Sequence, residues 1–268
     1  MDFMQRLIRS WRHGLALAWP LAKKDLLGRY RGSVVGLGWT LVTPLVMLLV
    51  YAVVFQGVFK ARWAAGADVS GLGYATHLFA GLIVFTATTE VATRAARLMQ
   101  DNASLVKRVM FPLQLLGVAL VQYAAVQALL QSLVLAALLL VAGEGPRLSW
   151  LLLPLAWAWV FLLQLALAWL LSALGCYLRD LQHLVPPIFS GLLFLSPVFY
   201  PADAAPGALR TLLAFNPLTA PIELMRSLWF GDAFHAQALV PALAVLLVLL
   251  AGSRWLFERA RPGFADLV

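Results

Sequence analysis

Charge is scarce in this sequence. Aspartate, glutamate, lysine and arginine make up 12% of the 268 residues, while 62% are hydrophobic and the mean hydropathy is +0.86. So few polar side chains cannot cover one water-facing globule of this size, which excludes a soluble domain and implies a polytopic membrane protein. Cysteine is nearly absent too. Cys176, the one thiol, lies in an apolar run, so an intrachain disulfide is excluded and the residue reads as a small buried apolar side chain. The four histidines, His13, His77, His183 and His235, are far apart without ligand spacing, which argues against a metal centre. No phosphate-cradling GxxxxGK[ST] loop occurs, so the chain is not expected to hydrolyse ATP, and neither a GxSxG elbow nor an HExxH pair is present. A cleavable leader is not expected before residue 34, where Lys and Arg interrupt the apolar positions. The net charge of +8 could suit nucleic acid, but the basic residues punctuate apolar runs instead of forming a stripe, which argues against that partner.

What is present is a series of uncharged runs. Residues 34–59 carry no charge and follow a basic cluster, Arg29 and Arg31 around Tyr30. At about 1.5 Å per residue such a run can cross a hydrocarbon core of roughly 30 Å. Five further spans are expected at residues 74–93, 115–142, 150–178, 184–199 and 233–253. The expected fold is therefore all-α with six transmembrane helices. Before the first span, Leu15, Trp19, Ala22, Leu26 and Tyr30 fall at helical spacing on one face, so residues 1–31 read as an amphipathic helix in the membrane interface or, more simply, as a basic tail that fixes topology. Pro20 is expected to bend or start that helix, and Pro44 to kink the first span. Gly32 and Gly36 have the spacing that allows close helix approach. Between the fifth and sixth spans, the stretch 211–222 is too short to cross and contains Pro217 and Pro221. It reads as a re-entrant or an external short helix.

Charge placement gives the orientation. If both termini are cytoplasmic, the inside segments hold 15 Lys and Arg and the outside segments five, as the positive-inside rule requires. Glu90 is the one acidic residue near membrane depth, and Arg94 four residues later can neutralise it within the same helix. Spans so poor in ions argue against a proton- or sodium-coupled carrier and point to a pathway powered by another polypeptide.

Four stretches then resemble the ABC-2 type permeases that export polysaccharide. They are KKDLLGRYRGSVVGLGWTLVTPLVMLLVYAVVF, with Arg29, Tyr30, Arg31, Gly32, Gly36 and Trp39; DNASLVKRVMFP; RDLQHLVPPIFSGLLFLSPVFYP, with Arg179, Asp180, Pro197, Tyr200 and Pro201; and NPLTAPIELMRSLWFG, with Asn216, Pro217, Glu223, Arg226 and Gly231. Together they cover nearly the whole chain in order. One departure is visible: where the family often has a basic residue after Phe111 and Pro112, this chain has Leu113 and Gln114.

The resemblance implies a homodimeric permease in the cytoplasmic membrane, paired with two ATP-binding subunits that hold the ATP and magnesium, and moving a polyprenyl-pyrophosphate-linked glycan such as O-antigen or teichoic acid. This chain would then carry no cofactor of its own. Residues 94–110 would be the coupling helix, with Arg94, Arg97, Asn102, Leu105, Lys107 and Arg108 facing the ATPase. Aromatic side chains can stack on sugar rings, so Tyr51, Phe55 and Phe59 of the first span, with Phe194, Phe199 and Tyr200 of the fifth, are candidates to line the passage. Arg29 and Arg31 are candidates for a lipid pyrophosphate, because guanidinium suits phosphate, although topology anchoring explains the same pair. Two other readings are a drug or small-lipid exporter of the same superfamily and a membrane-embedded polyprenyl-lipid enzyme. The enzyme would need carboxylates or histidines clustered at one depth.

Overall fold

Helix is the only regular structure among the described residues, as long uncharged runs require: in lipid, each backbone N–H and C=O must find its partner within its own segment. The computed structural model describes residues 2–29, 31–54, 71–107, 111–232 and 239–268, without the side chains of 2–13, 37, 51–52 and 71–72. Twelve α-helices are described: α1 (Asp2–Arg29), α2 (Trp39–Ala52), α3 (Gly71–Ala95), α4 (Leu98–Asp101), α5 (Ala103–Val106), α6 (Gln114–Val141), α7 (Leu153–Tyr177), α8 (Leu181–Phe194), α9 (Gly207–Phe215), α10 (Thr219–Phe230), α11 (Leu239–Ala260) and α12 (Phe264–Leu267).

Four helical stretches are long and apolar enough to cross a membrane, Gly73–Ala95, Gln114–Val141, Leu148–Tyr177 and Leu239–Leu267, so the chain is a multi-pass membrane protein. The expected first and fifth spans correspond to shorter apolar helices. The first begins at Trp39, five residues later than residue 34, because the chain turns through 31–35, with Val34 fully exposed. Gly32 and Gly36 supply that turn with positive φ (85° and 55°) and nothing lies within 4 Å of where a Cβ would stand. Their role is conformational, and the close helix approach expected of them is not made. α8 stops at Phe194, where the chain turns sharply towards Pro201. Fourteen residues rise about 21 Å, short of a full crossing.

The centre is α3, which packs against α6, α7, α8, α10 and α2 and is the most buried of the crossing helices. Two apolar clusters divide the molecule along its axis. One surrounds the first half of α3 with α10 and the start of α7; the other surrounds the ends of α1, α3, α7 and α11 and the start of α6. The second cluster marks the basic end of the molecule, the first its far end.

α1 runs through Pro20 without ending. Its buried stripe is Ala18, Ala22 and Leu26, against α6; Ala22 and Leu26 belong to the expected face, Leu15 and Trp19 of that face are exposed, and Tyr30 lies outside the described residues. Residues 94–110 do not form one helix. Arg94 belongs to the last turn of α3, and two single-turn helices follow, separated at Asn102, whose backbone (φ −118°, ψ 31°) leaves the helical region while its amide donates to the Leu98 carbonyl at 2.9 Å. The Leu113 and Gln114 departure also has a local reason. Leu113 is buried, and Gln114 donates to Glu258 of α11 at 3.2 Å.

Candidate functional site

A groove runs up one side of α3, and its walls come from α2, α6 and α8. Its volume is about 640 Å³. The floor is aromatic, formed by Phe79 and Phe85 of α3 and Phe189 of α8, with Trp39 at the side. Polar side chains stand above it at helical spacing: Thr86, Thr89 and Thr93 on α3, Thr40 and Thr43 on α2, Gln127 and Gln131 on α6, and Ser190 on α8. Thr86 and Thr89 donate to the carbonyls four residues back, at 2.7 and 2.9 Å, which leaves their oxygen lone pairs as acceptors. Gln127 is buried, and its amide nitrogen makes no hydrogen bond within the protein. Hydroxyl and amide side chains beside apolar rings suit a ligand rich in hydroxyls, each of which both donates and accepts.

The groove opens at the basic end into a second cavity of about 950 Å³, lined by Lys24, Asp25, Leu27, Gly28, Arg29, Arg31, Glu90, Arg94 and Tyr123. Arg29, Glu90 and Arg94 border both spaces. The expected pairing of Glu90 with Arg94 is not made. Glu90 pairs with Arg29 of α1 and accepts from the Tyr123 hydroxyl at 3.0 Å, while Arg94 pairs with Asp25 of α1 and lies 4.4 Å from the centre of the Tyr123 ring. The partners are interhelical because α1, packed along α6, brings Asp25 and Arg29 within side-chain reach of Glu90 and Arg94, and a guanidinium from another element can approach a half-buried carboxylate without straining its own helix. Four basic residues face two carboxylates in this cavity, an excess of two positive charges.

The other expected site residues fall in three places. Arg97 pairs with Asp101 at 3.2 Å, Leu105 is half-buried and Lys107 is exposed beyond α5, so with Asn102 they share a compact segment at the basic end; Arg108 lies outside the described residues. Phe194 and Phe199 stack on each other at 5.5 Å, and the Tyr200 hydroxyl donates to the Phe194 carbonyl at 2.7 Å, away from the groove. Phe55, Phe59 and the Tyr51 side chain lie outside the described residues.

The far end holds residues that sequence reasoning passed over. The stretch 211–222 resolves into α9 and the start of α10, and α10 inserts against α3 and α7, burying Pro221, Ile222, Met225, Leu228, Trp229 and Phe230. α10 is thus packed into the helical bundle. Arg226, which would count among the outside charges, is buried on α10 and donates to the carbonyls of His77 on α3 and Val198 after α8. Gly81 is required there: a Cβ would stand 2.7 Å from the Arg226 guanidinium. The carbonyls of Leu228, Trp229 and Phe230, which end α10 and have no helical partner, accept from Ser149 (2.7 Å), the Trp150 indole (3.1 Å) and Arg147. His77 stacks on Phe230 at 3.6 Å and faces Asp232 at 3.4 Å. The sequence did carry a signal for the groove, threonines at 86, 89 and 93 and glutamines at 127 and 131 on single faces of apolar helices.

Comparison with known proteins converges on one group. The profile described as ABC-2 type transporter matches residues 17–230. The chain is similar to the O-antigen export system permease protein RfbA of Myxococcus xanthus, 27% identical over 268 residues that cover 99% of this chain and 100% of the relative. Two proteins of the same name from Klebsiella pneumoniae are 23% and 22% identical over 249 residues, each covering 92% of this chain and 93% of the relative.

Proposed function

The chain belongs to the ABC-2 type transporter family, a family of transport subunits and not of enzymes, and from that premise we propose that it is the permease subunit of an exporter of lipid-linked polysaccharide, an O-antigen, from cytoplasm to periplasm. The observation that carries this reading is the groove: hydroxyl-accepting and amide side chains over aromatic rings, opening into a cavity with two surplus positive charges. Such a surface suits a neutral sugar chain with a diphosphate at one end. Arg29 and Arg31 border that cavity with Lys24 and Arg94, so we assign the lipid pyrophosphate to it.

The power comes from a separate ATP-binding subunit. Two permease chains pair with two such subunits, which bind ATP and magnesium, and the segment of Arg94, Arg97, Asn102, Leu105, Lys107 and Arg108 docks on them. The inner membrane is the site, with both termini cytoplasmic, and the stretches 34–59 and 184–199, longer than the α2 and α8 within them, complete six crossings with the four long spans. Tyr51, Phe55, Phe59, Phe194, Phe199 and Tyr200 are further candidates for contact with the glycan, apart from the groove beside α3. Deleting the gene should abolish surface polysaccharide while lipid-linked glycan accumulates inside the cell, and replacing the gene should restore export. Unchanged surface polysaccharide in the deletion strain would contradict the proposal.

A further inference from the structure

A crevice of about 240 Å³ lies between α1 and α11 and shares no lining residue with the groove or with the cavity of Arg29. Leu15 of α1 borders one side, Leu115 and Val118 of α6 and Trp169 of α7 line it between the helices, and Gln114 and Arg254 bring its polar groups. The Trp169 indole N–H is taken up by the Gln114 carbonyl at 3.2 Å, which leaves its ring as apolar surface. Arg254 and Glu258 stand one turn apart in the last two turns of α11, where the exposed Trp255 marks the level of the lipid headgroups. Towards the middle of α11, Ala251 and Leu247 continue the face of Arg254 at helical spacing, and both are exposed and apolar.

The hydrogen bonds at this end of α11 use only part of what the two charged side chains offer. The Arg254 Nε–H donates to Oε1 of Glu258 at 3.0 Å, and the Gln114 amide donates to the same oxygen at 3.2 Å. Among the described residues this leaves the N–H donors on both Nη atoms of Arg254, and Oε2 of Glu258, without a partner. We propose that the crevice is a phospholipid site that selects a headgroup with a primary ammonium, a phosphatidylethanolamine. The phosphate takes the Nη donors of Arg254, the ammonium donates to Oε2 of Glu258 one turn nearer the end of α11, and the acyl chains run along Ala251 and Leu247. That order matches the lipid, in which the phosphate adjoins the glycerol and the ammonium faces water. Glu258 and Arg254 together carry no net charge, so a zwitterion suits them better than an anion. A quaternary ammonium has no N–H for the second bond. The crevice is smaller than the roughly 300 Å³ at which pockets for drug-sized molecules begin, so it holds a headgroup and leaves the chains in the bilayer.

The test uses the permease with its ATP-binding partner, purified in detergent and exposed to equal amounts of dioleoyl-phosphatidylethanolamine, its N-monomethyl and N,N-dimethyl derivatives, dioleoyl-phosphatidylcholine and dioleoyl-phosphatidylglycerol. Retained lipid is counted by native mass spectrometry. The methylated series removes the N–H donors in turn while the nitrogen stays positive, and it needs no substitution in the protein. Two variants place the effect at this crevice. Glu258→Gln keeps an oxygen that can accept from Arg254 and Gln114 but removes the charge that faces the ammonium. Arg254→Gln removes the donors to the phosphate. Both side chains are exposed on α11, where such changes leave the packed face intact.

The wild-type protein should retain phosphatidylethanolamine about fivefold more than phosphatidylcholine, the scale of one exposed charged pair, with the largest step where the last N–H is lost, and phosphatidylglycerol no more than phosphatidylcholine. Glu258→Gln should bring phosphatidylethanolamine down to the level of phosphatidylcholine, and Arg254→Gln should lower the retention of every phospholipid tested. Equal retention of phosphatidylethanolamine and phosphatidylcholine by the wild-type protein, phosphatidylglycerol retained above phosphatidylethanolamine, or a preference that survives Glu258→Gln would each overturn the proposal. So would unchanged retention in Arg254→Gln.

Discussion

Arg226 concentrates at one residue what holds α10 in place. Its guanidinium, buried in the bundle, joins α10 to a carbonyl of α3 and to one in the turn after α8. Replacing it with Met should destabilise the protein by about 2–3 kcal/mol, since two carbonyls lose a charged donor; a drop in thermal unfolding temperature in detergent measures it, and an unchanged midpoint would show that the clamp is ornamental. Gly175 makes the corresponding point at the basic end. An added Cβ would stand 2.1 Å from the Ala96 carbonyl oxygen, an approach that only backbone separation can relieve, so Gly175→Ala should cost about 3 kcal/mol or more and reduce the folded yield. At Tyr123, Phe removes the hydroxyl that donates to Glu90 while the ring beneath Arg94 remains, and the expected loss is about 1 kcal/mol by the same measurement.

At the scale of elements, α10 is a helix whose end is built by others. Its last three carbonyls are satisfied by side chains from the 3₁₀ turn Leu148–Leu152 and from Arg147 before it, and Gly231 adopts the left-handed conformation (φ 75°) that lets the chain leave. Trp150→Phe keeps an aromatic ring against Trp229 but deletes the donor to its carbonyl. Hydrogen exchange in the last turn of α10 should then accelerate roughly fivefold, the equivalent of about 1 kcal/mol; no acceleration would mean that packing alone holds that end.

Most of the helices are legible in the sequence because their signal is local. The uncharged runs place α3, α6 and α7 within a few residues and α11 about two turns early, and the prolines of 211–222 mark short helices. The partners of charged residues are not legible. Glu90 and Arg94 have the spacing of an intrahelical pair, but α1 brings Asp25 and Arg29 to the same place, and nothing along the chain announces that proximity. Arg226 falls among the outside charges for the same reason, since a residue count knows position along the chain and not burial. The break at Asn102 is hidden because residues 94–110 are helix-compatible throughout, and what interrupts them is the fit of α4 against the end of α7 and of α5 against α12.

At the scale of the whole molecule, the groove and the basic cavity form one path beside α3, neutral and hydroxyl-accepting along its length and positively charged at one end. The proposed orientation, with the basic end inside, is open to a direct test. A cysteine at Lys107, in a Cys176→Ala background, should react with a membrane-impermeant maleimide only after the cells are opened, and a cysteine at Glu144, in the turn after α6, should react in intact cells. The central claim is that a permease without a nucleotide site moves a glycan on another subunit's ATP hydrolysis. It is tested most directly in vesicles that contain this chain and its ATP-binding partner, by following radiolabelled lipid-linked glycan into a compartment protected from added glycosidase. The account predicts protection that requires ATP and both subunits and is lost when either is omitted; equal protection with this chain alone, or without ATP, would contradict it.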